Sequence, residues 1–321
     1  MGVLATARVF TLVLNYRHTD DTLRCVASVR RSTFRDQRLV VIDNDATRET
    51  TAALEAGLPA TTILAVRENL GYAGGNNVGI RRALERDADF VWLLNPDVIV
   101  EPDTLERLMA TAQARPDAGI VGSRGLYHRR RPPTIWFNGG VIDWARGGAT
   151  SHRDDGLADA VVPAEGPFSV DYATGAAMLV RREVFEDVGL LPESWFLYFE
   201  ETEFNVLARR AGWEVLLEPR SRVSHDKRST GRLPAPYYVY YFVRNRLRFG
   251  ATYSDLALDE VDADLERWVE AWRRKVSDRE PGWLPTYERL VAAARADARA
   301  GVQGRRDDLD ALVRGAEATT P

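Results

Sequence analysis

Strand-like runs alternate with helical segments over the first hundred residues, and this alternation restricts the fold more than any other feature of the chain. Residues 8–14, 39–42, 61–66 and 90–94 are short, apolar and rich in β-formers. Between them, 21–31 carries Leu23, Val26, Ala27 and Val29 behind a cap at Thr19 or Asp20. Residues 47–56 read as a helix closed by Gly57 and Pro59, and 76–86 as a helix after a glycine-rich turn. Such alternation predicts a parallel α/β sheet covered on both faces. Ligands of such sheets sit at the carboxyl ends of the strands. Three polar clusters fall there: Asn15-Tyr16, Asp43-Asn44 and Asn95 to Asp97.

The rest of the chain changes character twice. Residues 123–170 gather Arg124 and His128 to Arg131 ahead of Pro132-Pro133, then two glycine pairs, which predicts irregular hairpins and a mobile loop. Residues 173–180 return to a buried pattern. From Tyr237 the pattern is helical, and Val261, Leu265, Trp268, Trp272 and Val276 form one apolar stripe. Two further helices are expected near 286–300 and 305–314. The stripe is expected to pack on the chain's own core, docking to a membrane or a second subunit being the other reading.

Composition removes several classes. The single cysteine, Cys25, allows neither an intramolecular disulfide nor a cysteine zinc cage. A net charge of -4 argues against a dedicated nucleic-acid binder. No run approaches the ~20 apolar residues of a membrane span. The first apolar run, 9–14, is too short for a signal segment, so a soluble cytoplasmic protein is expected.

Six segments carry candidate chemistry. Asp43, in Val40-Val-Ile-Asp-Asn-Asp45, can accept from a base imide or a ribose hydroxyl, or serve as a turn and cap residue. Residues 68–79 place Gly71, Gly74 and Gly75 beside Asn76 and Asn77, so the backbone can approach a phosphate closely. The spacing is neither the dinucleotide fingerprint nor a P-loop. Asp97, in Leu93-Leu-Asn-Pro-Asp97, suits a hard divalent cation or a plain turn. Glu200, Glu201 and Glu203 crowd behind an aromatic run, where a raised carboxylate pKa or a helix-dipole role both fit. His225 precedes Lys227 and Arg228, groups that suit a diphosphate, although a lone histidine is commonly structural. Arg244, Arg246 and Arg248 lie on an aromatic helix and read mainly as a solvated face.

Taken in order, these segments resemble the family 2 glycosyltransferases of GT-A fold, in particular their bacterial rhamnosyltransferase-like branch. The matching residues are Leu14-Asn15-Tyr16, Val41 to Asn44, Asn69 to Gly79, Leu93 to Asp97, Thr174 to Leu179, Glu200 to Glu203, His225 and Arg244-Asn245. The resemblance implies an α/β GT-A domain over 1–250, a mixed sheet flanked by helices, with a C-terminal helical extension over 251–321. It implies an inverting transfer of a sugar from a nucleotide-diphosphate donor to an acceptor hydroxyl. Glu201 would be the base, with Glu200 and Glu203 as rivals. Asp43 would contact the nucleobase, with Asn44, Leu14 and Asn15 beside it. Asn69, Gly75 and Asn76 would line the nucleotide and sugar pocket, and Asn95, Gly175, Ala176 and Arg244 would also face the donor. Asn95 stands where the family has the first Asp of its metal motif, leaving Asp97, with His225, to hold Mg²⁺ or Mn²⁺. The branch points to a dTDP-deoxysugar such as dTDP-L-rhamnose, with UDP-sugars next. The acceptor is a glycan, a lipid-linked glycan or a secondary metabolite. A peripheral membrane contact and a homo-oligomer through the C-terminal helices stay open. The competing classes are a Rossmann oxidoreductase, a nucleotidylyltransferase and a non-catalytic binding protein on the same fold. The first two lack their glycine signatures after the first strand.

Overall fold

The computed structural model describes residues 7–45, 47–225 and 233–315. Lys227 and Arg228 therefore lie outside the described residues. Described residues fall into two compact units, 7–141 with 151–192 and 201–225, and 142–150 with 193–200 and 233–315.

In chain order the elements are β1 (Val9–Asn15), α1 (Thr19–Val29), β2 (Gln37–Asp43), α2 (Arg48–Gly57), β3 (Thr62–Ala65), α3 (Gly71–Leu84), β4 (Phe90–Leu94), β5 (Val98–Val100), α4 (Thr104–Ala114), β6 (Ala118–Tyr127) and β7 (Ile135–Phe137). Then come β8 (Gly140–Asp143), β9 (Ala149–His152), β10 (Phe168–Ser169), β11 (Ala177–Arg181), α5 (Arg182–Val188), α6 (Glu200–Arg210) and β12 (Glu214–His225). The chain closes with α7 (Pro236–Tyr253), α8 (Leu258–Arg279), α9 (Leu284–Arg299) and α10 (Leu309–Arg314).

The first unit is built on one sheet in the order β10-β12-β6-β11-β4-β1-β2-β3, with β5 added on β12 and β7 on β6. Strands β3, β2, β1 and β4 are parallel, as the alternation predicts. Beyond β4 the sheet turns mixed, because β11 runs antiparallel to both β4 and β6. Strand β1 is buried at every position, and so is β4, as befits strands covered on both faces.

Helix α3 starts at Gly71, five residues before its expected start, and takes in the glycines read as a turn. These glycines bring the helix close to the sheet. A Cβ on Gly75 would stand 2.6 Å from Leu14 Cδ1, and one on Gly79 2.7 Å from Ile42 Cδ1. Residues 123–170 are also more regular than expected. Arg124 is not part of an exposed basic cluster. It is fully buried in β6, with Nε donating to Asn138 Oδ1 and Nη1 to Asp159 Oδ1.

The second unit is helical. Its core gathers Val239, Tyr240, Tyr241, Val243 and Leu247 of α7 with Val261, Leu265 and Val269 of α8 and Tyr287, Leu290 and Val291 of α9. Helix α7, expected as far as residue 250 to lie inside the first domain, thus belongs to this unit, because its apolar face is covered by α8 and α9. Trp268 stacks on Phe242 with centroids 4.7 Å apart, and both it and Trp272 pack against the unit's own core. Among the described residues, no helix is long and apolar enough to cross a membrane.

Candidate active site

Strand register assembles the site at the carboxyl ends of β1, β2 and β4. Asn15 and Asp43 are direct partners in the β1–β2 ladder, and Asn15 Nδ2 donates to Asp43 Oδ1 at 3.1 Å. Thr22 Oγ1 donates to Asn15 Oδ1, and Thr51 Oγ1 donates to Asp43 Oδ2. Next to them, Asn44 Nδ2 donates to Asn69 Oδ1 and to the Gly71 carbonyl, while its own Oδ1 accepts from the Leu70 amide. Ala177 lies opposite Leu94 in the β4–β11 ladder, so the Asn95 amide donates to the Ala176 carbonyl at 3.1 Å. The Tyr72 hydroxyl donates to the Gly175 carbonyl at 2.6 Å. A Cβ at Gly175 would come within 2.4 Å of that hydroxyl.

The same logic makes the acidic corner. His225 lies opposite Val98 in the β5–β12 ladder, one residue beyond Asp97. Its Nε2 sits 2.9 Å from Asp97 Oδ1. Burial works against ionising Asp97, but the bond and charge of His225, its own backbone amide and the more distant His18 outweigh it, and its pKa is lowered. With the carboxylate ionised, Nε2 is the donor. Nδ1 is buried and has no partner among the described residues. The imidazole is flanked by Trp136, with ring centroids 5.1 Å apart. Asp97 also reaches Cys25 of α1, whose thiol is held neutral by burial and by that negative charge.

Glu201 stands in the first turn of α6. Burial raises its pKa, and the backbone amides of Glu201 and Thr202, which favour the anion, do not reverse the shift. Its Oε2 is buried without a hydrogen-bond partner among the described residues. The helix is pinned at this end by Asn205, which donates to the Glu201 carbonyl and trades hydrogen bonds with the Ala173 amide and carbonyl. Glu200 is buried, and Glu203 is half-buried.

These positions sort the expected residues into a sealed frame and an accessible rim. Asp43 has no exposed surface, and donors from Asn15 and Thr51 occupy its two oxygens. It therefore does not present its carboxylate to a base. Asn15, Asn44 and Asn76 are equally sealed, and Leu14, Gly75, Gly175 and Ala176 are buried. Gly75 serves the close approach of α3 rather than an open phosphate loop. Asn77 is also structural: it donates to the Leu191 carbonyl and accepts from the Leu191 amide. Asn69, Asn95, Asp97 and His225 keep solvent-reachable surface. Arg244 is corrected outright. Its fully buried guanidinium donates to the carbonyls of Trp195 and Gly304 and to Asn245 Oδ1, all inside the helical unit, so it holds that unit together. The sequence reading passed over Tyr72, Thr22, Thr51 and Trp136. Thr22 and Thr51 had a usable signal, lying one helical turn inside the helices that follow Asn15 and Asp43.

Among the described residues, no cluster of three or more His, Cys, Asp or Glu could hold a metal by itself. Asp97 with His225 fits a Mg²⁺ or Mn²⁺ whose remaining ligands come from substrate phosphates, as such ions prefer. His225 Nε2 and Asp97 Oδ1, 2.9 Å apart, converge closely enough to ligate one cation, which would take the place of the proton they share, and the other carboxylate oxygen retains acceptor capacity.

Residues 7–248 match the model of "Glycosyltransferase like family 2". The chain is 31% identical over 250 residues to the N-acetylglucosaminyl-diphospho-decaprenol L-rhamnosyltransferase of Mycobacterium tuberculosis, covering 70% of this chain and 80% of that protein. It is 29% identical over 208 residues to a low-salt glycan biosynthesis hexosyltransferase of Haloferax volcanii, covering 64% of this chain and 65% of the other. Among solved structures, the mannosyltransferase of Pyrobaculum calidifontis in complex with GDP-Man and Mn²⁺ aligns with a TM-score of 0.55 at 14% identity, over 92% of this chain and 88% of that one. GalNAc-T7 with UDP, GalNAc and Mn²⁺ aligns at 0.60 and 17% identity, over 91% of this chain and 55% of that chain. These structural likenesses establish the GT-A fold.

Proposed function

The chain belongs to glycosyltransferase family 2, and from that premise we propose that it is an inverting transferase moving L-rhamnose, or a related deoxyhexose, from a dTDP-sugar to a hydroxyl of a lipid-linked glycan. The observation that carries the mechanism is Glu201, a carboxylate with raised proton affinity and an unpartnered buried oxygen. The choice of donor and acceptor is supported by the mycobacterial relative, whose own name gives an L-rhamnosyl transfer to a diphospho-decaprenol-linked sugar.

Glu201 accepts the proton of the acceptor hydroxyl as that oxygen attacks the anomeric carbon. The bond from that carbon to the donor's diphosphate breaks, the nucleoside diphosphate leaves, and configuration inverts. General-base help of this kind contributes about 10²–10⁴-fold. Asp97 and His225 would hold a divalent cation, which would supply positive charge against the charge growing on the leaving diphosphate. Asn69 and Asn95 contact the donor at the rim. The sealed frame of Asn15, Asp43 and Asn44 keeps the strand ends and the start of α3 in register beneath it.

Calorimetric titration with dTDP, UDP and GDP, with Mn²⁺ and then with EDTA, tests the reading. Metal-dependent binding of dTDP above the others is expected. A preference for UDP would move the donor to a UDP-sugar. Loss of all nucleotide binding would leave a non-catalytic protein on this fold.

A further inference from the structure

The opposite, amino end of the same sheet holds a cavity that the transfer reaction does not use. It measures about 610 Å³, within the ~300–1,000 Å³ usual for small-molecule sites. It is lined by the amino ends of β1, β2 and β3, the turn after α1 and the carboxyl end of α3.

Five arginines surround it: Arg30, Arg35, Arg38, Arg82 and Arg86. Its lining contains no Asp or Glu, and among the described residues none of the five is ion-paired. Several are nonetheless held in place. Arg30 donates to the Pro59 carbonyl and to Thr61 Oγ1, Arg35 donates to the Arg30 carbonyl, and Arg38 lies over the Phe10 ring at 5.4 Å. Arg82 lies in the last turn of α3, and Arg86 follows two residues past its end. Their position at a helix carboxyl end is favourable in itself, but that accounts for two of the five. A second observation is independent of charge. Ser32 lines the cavity, is only 3% exposed, and its Oγ has no hydrogen-bond partner among the described residues. Buried hydroxyls are normally paired, so this one is a donor waiting for an acceptor.

We propose that this cavity binds a phosphate or diphosphate ester, with Ser32 and the arginines as its donors. Guanidinium groups match phosphate oxygens bidentately, and a dense anion answers five unpaired positive charges better than a carboxylate does. The source is a soluble phosphate ester or the headgroup of an anionic lipid.

Titration with inorganic pyrophosphate in EDTA tests this without engaging a metal-dependent nucleotide site. Saturable binding is expected, unchanged in Asp97→Ala. The double variant Arg82→Ala/Arg86→Ala should weaken it at least tenfold, and Ser32→Ala about fivefold, as the loss of charged and neutral hydrogen bonds predicts. The substituted arginines lie at the surface, and the variants' melting curves verify folding. Flotation with phosphatidylglycerol vesicles, against phosphatidylcholine as the neutral control, separates the sources. Vesicle binding that pyrophosphate displaces assigns a lipid headgroup, and pyrophosphate binding without vesicle binding assigns a soluble ester. The proposal is overturned if neither probe binds, if the arginine variant binds as tightly as the parent, or if Asp97→Ala abolishes binding.

Discussion

In the proposed mechanism, Glu201 stands where catalysis and stability make opposite demands. Burial raises its proton affinity above that of an ordinary glutamate, near 4.3. Between that value and the raised one, the folded chain holds the proton more tightly than the unfolded chain. Stability therefore falls as pH rises through that window, and the cost persists above it. Two outcomes follow for Glu201→Gln. Transfer should drop by about 10²–10⁴-fold, read as kcat with saturating donor. The variant should also melt higher than the parent at neutral pH, and the difference should shrink toward about pH 4 and close below it, where the parent's glutamate becomes protonated in both states. In the parent, the acid limb of kcat/KM should lie above the range of an exposed glutamate. A variant that keeps turnover and melts like the parent at every pH would transfer the base role to Glu200 or Glu203. Asp97 shows the contrasting case: burial also works against its ionisation, yet the bond and charge of His225 lower its pKa.

Helix α3 shows how one element can be right in existence and wrong in purpose. Its glycines satisfy a phosphate-loop reading because small residues next to asparagines suit both a ligand and a tight helix–sheet contact. Register and depth decide between the two, and neither is visible in a linear pattern. Gly79 lies one turn beyond Gly75, where a Cβ would stand 2.7 Å from Ile42 Cδ1 and 2.9 Å from Leu12 Cδ1. Gly79→Ala should thus overpack the interface and cost roughly 1–3 kcal/mol, measured by urea unfolding. A neutral result would mean that the helix can back away from the sheet without loss. The strands β1 to β4 were legible because fully buried parallel strands leave apolar runs with polar ends. The roles of Asp43 and Arg244 were not, because a carboxylate that receives two side-chain donors looks the same in sequence as one that faces a ligand. Arg244 likewise spends its donors on carbonyls 49 and 60 residues away. The Asp97–His225 pair spans 128 residues, and only the antiparallel pairing of β5 with β12 brings it together.

At the scale of the whole chain, every residue to which the proposal gives a chemical role lies in the first unit, although the sequence boundary at 250 had placed most of α7 there as well. This has a measurable consequence. A ligand that binds only the folded state adds about 2.7 kcal/mol of stability at a hundred times its Kd. Amides that exchange only through unfolding of the site-bearing unit should then slow by about 100-fold. Hydrogen exchange with and without the preferred nucleoside diphosphate and Mn²⁺ reads this segment by segment. The gain should cover β1, β2 and β4, whose buried ladders report unfolding of the sheet. It should disappear with EDTA, and it should be absent in Asp97→Ala. Protection that survives both treatments would mean that the nucleotide is held without the Asp97–His225 corner. The leaving diphosphate would then have to be neutralised by the protein's own cations, and the metal would drop out of the mechanism while Glu201 kept its part.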